Sequence, residues 1–179
     1  MNAGEALKKL KEGNLNYLTA EKNSGDISPA IREKTYLHGQ HPYAVVVTCA
    51  DSRVIPESIF SAGIGELFVI RAAGNVIDNV QLGSIEYAVE HLGSPLVVVL
   101  GHSNCGAVGA AVNGQPAGFV KFITDEIRKA VGDEKDDISA CCLNVRRSVC
   151  RIKESLPLEN MQVVGALYRI DSGKVEFLD

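Results

Sequence analysis

The sequence predicts an α/β protein: a mainly parallel four-stranded sheet with flanking helices and a short C-terminal edge strand. Three observations carry that expectation. Four short, continuous, β-branched runs read as strands covered on both faces, as parallel strands usually are. Segments with helical apolar spacing lie between them, and strands alternating with helices make a parallel sheet covered on both sides. No low-complexity linker or repeat interrupts the 179 residues, so 1–179 is expected to be a single domain with an N-terminal helical arm over about 1–36.

Taken in order, residues 3–19 place Ala6, Leu7, Leu10, Leu15 and Leu18 at near-helical spacing with lysines between them, an amphipathic helix. "KNSGDISPAIREKTYLHGQHP" (22–42) holds turn formers and prolines and reads as a surface connection with room for a short helix. "YAVVVTC" (43–49) is the first strand, and "ELFVIR" (66–71) and "PLVVVL" (95–100) repeat its character. "NVQLGSIEYAVEHLG" reads as a helix ending at Gly93. "AVGAAV" (107–112), 117–131 and 138–155 are helical in pattern, "MQVVGALYRI" (161–170) is a fourth buried strand, and "KVEFL" (174–178) is an edge strand after the Asp171–Gly173 turn.

Composition narrows the function. Apolar residues make up 46% and charged residues 22%, a soluble globular balance. The net charge of −4, with no basic patch, excludes nucleic acid as a partner. No apolar run approaches the roughly 18 residues of a membrane span. The N-terminus lacks the apolar centre of a secretory signal, so a cytoplasmic setting is expected. In that reducing compartment the five cysteines, Cys49, Cys105, Cys141, Cys142 and Cys150, read as thiols or metal ligands rather than disulfides.

In parallel sheets ligands sit outside the carboxyl ends of the strands. "CADSR" (49–53) follows the first strand and "GHSNCG" (101–106) the third, so two reactive clusters point at one rim. A lone Cys-x-Asp would most often be a buried thiol and a turn carboxylate, and a lone His-x-x-Cys, though a better sign of ligation, is weak by itself. Together, Cys49, His102 and Cys105 supply the two sulfurs and one nitrogen that suit zinc, the His-x-x-Cys pair converging from one tight turn. Three protein ligands leave a fourth place for water, or for Asp51, two residues from Cys49. Cys141, Cys142 and Cys150 lie in "ISACCLNVRRSVC", where helical spacing makes them small buried thiols. A nucleophilic His102–Cys105 pair would leave Cys49, Asp51 and Arg53 unexplained. "SAGIGELF" lacks the strand-then-helix context of a dinucleotide loop.

These residues resemble the β-class carbonic anhydrases. "CADSR" and "GHSNCG" match that family's two zinc-ligand motifs in order, and "GELFVIRAAGN" (65–75) and "SIEYAVEHLG" (84–93) resemble its connecting segments. "RAAGN" departs from the commoner Arg-Asn-Ala-Gly-Asn only at Ala72. The resemblance implies one Zn2+ per subunit on Cys49, His102 and Cys105, and a catalytic dyad of Asp51 and Arg53. It also implies a homo-oligomer, at least a dimer, with a substrate pocket lined by Gln40, Phe68 and Tyr87. Without the resemblance, Phe68 and Tyr87 would be core packing and Gln40 a loop polar residue. Some members close the site by placing the equivalent of Asp51 on zinc. They usually carry a tryptophan where this chain has Val46, so a water-bound zinc is expected here.

The implied reaction is reversible hydration of carbon dioxide to bicarbonate and a proton. Zinc brings the pKa of its water toward about 7, and the resulting hydroxide attacks CO2. Two thiolates cancel the metal's charge, so the rate is expected to climb on the alkaline side. Asp51 would orient the nucleophile, held ionised and off the metal by Arg53. Phe68 and the partner's Tyr87 would form an apolar wall, with Gln40 donating to the developing carboxylate. His38 and His41 read as solvated loop histidines before they read as a proton relay. Two alternatives use the same residues: a carbonyl sulfide or carbon disulfide hydrolase, and a non-catalytic zinc or bicarbonate-binding module.

Overall fold

The third strand, β3 (Leu96–His102), runs through the middle of a five-stranded sheet. On one side lie β1 (Ala44–Thr48) and then β2 (Leu67–Arg71); on the other lie β4 (Gln162–Tyr168) and β5 (Val175–Leu178). All neighbours pair in parallel except β5, which runs antiparallel to β4 at the edge. The computed structural model describes all residues except Gln115, Leu158 and Asp179.

Alternation along each strand sorts side chains between two cores. Val46, Leu96, Val98, Leu100 and Ala166 face α1 (Ala3–Thr19), which contributes Ala6 and Leu10. Val45, Val47, Val97, Val99 and Val163 face α4 (Asn79–Glu90) and α7 (Asp137–Ser155). Every residue of β1 and β3 is buried, as continuous apolar strands require. The second strand departs from that expectation. β2 is an outer strand, and Leu67, Phe68, Val69 and Ile70 are only half-buried. An apolar run records what a strand is built to contact, not whether that contact lies within the same chain.

Local chemistry sets the helix ends. Asn2 with Glu5 and Asp78 with Gln81 form capping boxes at the starts of α1 and α4. The 22–42 connection contains α2 (Pro29–His38), capped by Ser28, with no buried residue. A short helix, α3 (Pro56–Ile59), falls in a stretch with no helical period to announce it. α4 stops at Glu90, before Gly93, and α6 (Val120–Val131) starts after residue 117. The cysteines of α7 divide. Cys141 is buried, Cys142 partly covered and Cys150 exposed, because the inward stripe runs through Cys141, Val145, Ser148 and Ile152. The expectation of three buried thiols is corrected accordingly. Among the described residues, no helix is long and apolar enough to cross a membrane.

Candidate metal centre

β1 and β3 lie side by side, with Thr48 opposite Leu100, so their carboxyl ends open onto one rim. Cys49 follows β1 directly. β3 continues through His102, which pairs with Tyr168 of β4, so the imidazole is held by a strand and not by the turn after it. The chain then turns through Ser103 and Asn104. Ser103 donates its N–H to the Tyr168 carbonyl, and its hydroxyl accepts the Ile170 N–H. Cys105 occupies the N-cap position of α5 (Gly106–Asn113), beside the Ala107 and Val108 backbone groups of its first turn. The helix N-terminus favours the thiolate form of such a cysteine, an effect that the neighbouring Cys49 and burial outweigh here.

Side chains of Cys49, His102 and Cys105 are all buried, and their ligand atoms lie within 4.8 Å of one another. The sulfurs are 4.0 Å apart. Two thiolates on one tetrahedral zinc, each at about 2.3 Å, sit about 3.8 Å apart. The sulfur spacing and the donor set are those that a tetrahedral zinc takes. His102 supplies the sharper test. Its Nδ1 is 3.0 Å from the Ser103 carbonyl, which can only accept, so Nδ1 carries the proton and Nε2 presents a lone pair. That Nε2 is buried without a hydrogen-bond partner among the described residues. Buried polar atoms are rarely left so, and a metal ion is the partner that this tautomer calls for. The contact between the two sulfurs sets the thiols apart: it holds Cys49 well below the usual thiol range and pushes Cys105 up.

The neighbourhood of Cys49 is braced from several sides. The Gly74 N–H donates to Cys49 Sγ at 3.2 Å. Gly74 belongs to a 3-10 turn, Ala73–Asn75, and has φ of 66°; a Cβ there would stand 2.7 Å from Ile127 Cδ1. From α7, Asn144 Nδ2 donates to the Gly74 carbonyl at 2.7 Å and Ser148 Oγ to the Asn75 carbonyl at 3.1 Å. Arg71 donates from Nε to the Cys49 carbonyl at 3.2 Å and from Nη2 to the Asp51 carbonyl at 2.7 Å. Sequence reasoning did not single out Arg71, Gly74, Asn144 or Ser148. "RAAGN" was the available signal for the first two; the polar pair on α7 gave none.

Asp51 and Arg53 form a two-point pair: Nε to Oδ1 at 2.9 Å and Nη2 to Oδ2 at 2.7 Å. The Arg53 side chain, with its peptide N–H, holds Asp51 far below the usual carboxylate range. Asp51 Oδ2 lies 3.9 Å from His102 Nε2, so the carboxylate borders the space between the ligands. The remaining expected residues lie apart from this cluster. Gln40 is exposed after α2. Phe68 is half-buried on β2 and pairs with Val45, and Tyr87 on α4 is 47% exposed, their ring centroids 6.3 Å apart. His38 and His41 are exposed near the amino end of β1, the opposite end from Cys49. The 690 Å³ cavity between α4, α6 and α7 shares no residue with the ligand cluster.

Fold and site define the class: an α/β protein with a buried Cys–His–Cys cluster able to hold a metal ion, bordered by an ion-paired carboxylate. Residues 44–175 match the family model described as carbonic anhydrase. A carbonic anhydrase of Mycolicibacterium smegmatis is 38% identical over 98% of this chain and 93% of its own length. Carbonic anhydrase 2 of Mycobacterium tuberculosis is 37% identical over 99% and 94%. The crystal structure of the β-carbonic anhydrase CafA of Aspergillus fumigatus superposes with a TM-score of 0.75 at 27% identity, covering 98% of this chain and 90% of that one. The chain belongs to the β-class carbonic anhydrases, and its enzyme class is carbonic anhydrase.

Proposed function

We propose that this protein catalyses reversible hydration of carbon dioxide to bicarbonate and a proton, using Zn2+ held by Cys49, His102 and Cys105. The observation that carries this reading is the unpartnered Nε2 of His102, a lone pair kept dry beside two sulfurs. Zinc, when bound, supplies Lewis acidity that makes water acidic enough to serve as a nucleophile near neutral pH. The chain supplies direction. Asp51, ionised by its pairing with Arg53, accepts a hydrogen bond from the attacking water and turns its lone pair toward CO2. Arg53 keeps Asp51 out of the ligand position, which corresponds to an open site. Val46, fully buried on β1, leaves no tryptophan at that place to favour a closed one.

The substrate wall calls for a second copy. Phe68 lies opposite Val45, four residues before Cys49, roughly 13 Å along an extended strand. Within its own chain the Phe68–Tyr87 pair therefore stands away from the ligands. The unpaired outer edge and half-exposed apolar face of β2 support a homodimer in which these rings and Gln40 complete the pocket. A cytoplasmic setting would keep both thiol ligands reduced.

The deciding experiment is metal analysis of the purified protein beside stopped-flow CO2 hydration, with sulfide release from carbonyl sulfide measured in parallel and the mass in solution recorded. One zinc per chain, CO2 turnover and a dimer or larger assembly are expected. A zinc-loaded protein that releases sulfide but does not hydrate CO2 would overturn the substrate assignment.

A further inference from the structure

Arg53 does more than face Asp51. The same Nη2 that donates to Asp51 Oδ2 also donates to the Asn104 carbonyl, at 3.2 Å. Asn104 lies between His102 and Cys105 and has a left-handed backbone, φ 56°. Its peptide N–H donates to Asp137 Oδ2 at 2.7 Å, thirty-three residues away at the first turn of α7. The other oxygen of Asp137 is also engaged, 4.0 Å from the Cys141 thiol. A continuous path thus runs from α7 through one peptide to the dyad: Asp137, Asn104, Arg53, Asp51.

We propose that Asp137 is a positioning residue for the hydration reaction, fixing the Asn104 peptide whose carbonyl orients Arg53 and, through it, Asp51. This rests on the reading given under Proposed function. The physical need is plain. The Arg53 side chain is 46% exposed, and although its peptide N–H anchors Asp51 Oδ1, the guanidinium end needs a fixed point of its own to hold its direction. The Asn104 carbonyl is the third acceptor and supplies that point. It ties the dyad to the loop that carries His102 and Cys105. Asn104 is a residue type that tolerates left-handed backbone, so the turn itself does not fix the direction of its peptide, and the charge-assisted bond from Asp137 does. A misplacement of about 1 Å in an orienting group costs up to about a hundredfold in rate.

An acid in the first turn of a helix also stabilises that helix through its dipole, so the test separates the two roles. Asp137→Ala removes the acceptor, and Asp137→Asn keeps an oxygen to receive the Asn104 N–H. Asp136→Ala removes the N-cap of the same helix, whose side chain accepts from Ser139 and does not meet the loop. Each variant is assayed per zinc bound, and Asn104 amide hydrogen exchange is measured by NMR. For D137A we expect kcat lower by roughly ten- to a hundredfold, KM within about twofold, and faster exchange at Asn104. For D137N most of the lost kcat returns. For D136A the Tm falls while kcat holds. Unchanged kcat in D137A, an equal loss in D136A, or loss of zinc in place of slowed turnover would each overturn the proposal. A wild-type protein without CO2 hydration would instead overturn the reading on which it rests.

Discussion

Asp51 Oδ2 stands 3.9 Å from His102 Nε2 while it accepts the Arg53 guanidinium at 2.7 Å. The carboxylate therefore borders the ligand cluster and is restrained from entering it. Replacing Asp51 by Ala or Asn should leave the zinc content unchanged and lower kcat by about a hundredfold or more, the range for a lost proton-handling group. Full turnover in Asp51→Asn would remove this carboxylate from the orientation of the attacking water.

Removing the metal should cost stability as well as activity. A ligand present at about 100 times its Kd stabilises a fold by about 2.7 kcal/mol, worth roughly 5–10 °C in Tm for a chain of this size. Chelation should lower Tm by that order, and added zinc should restore both Tm and turnover. His102→Ala should show the low Tm from the outset and no response to zinc in calorimetry.

Gly74 permits a tight approach that no other residue fits. Gly74→Ala would carry both the left-handed penalty and a 2.7 Å contact with Ile127 Cδ1, together about 2–4 kcal/mol of lost stability. Ile127→Val deletes the contacted carbon, so the double variant should recover that part of the cost and keep the left-handed penalty and the 3.1 Å approach to Ala107 Cβ. Urea unfolding of the four proteins reads this directly; additive effects would place the strain elsewhere.

Burial pushes the Cys141 thiol from its ordinary 9.0 up to about 12. The unfolded thiol ionises near its ordinary value while the folded one stays neutral, so the contribution is intact below about pH 9 and is lost as pH rises toward 12. The urea midpoint should fall across that window, and fall less in Cys141→Ala. At neutral pH a thiol reagent should modify Cys150 at once and Cys142 slowly, leaving Cys141 protected until the protein unfolds.

The strands, their order of alternation with helices and the two ligand motifs were legible because each is a local pattern. Apolar runs of strand length announce burial, and Cys49, His102 and Cys105 lie where strand carboxyl ends were expected. Other features were not legible for the same reason. α3 is too short to show a helical period, and the exposed side of β2 is an edge that composition cannot distinguish from a centre.

By itself, the order of residues determined the fold class and which side chains could bind a metal, since periodicity and donor chemistry are properties of short stretches. Only tertiary structure decided that the two sulfurs meet at 4.0 Å, that Ser103 selects the His102 tautomer, and that Asp137 reaches Asn104 across thirty-three residues. The sulfur contact and the Asp137 bond depend on strand register and helix placement. Both are set by how the two cores pack on the sheet, and distance along the chain does not encode them.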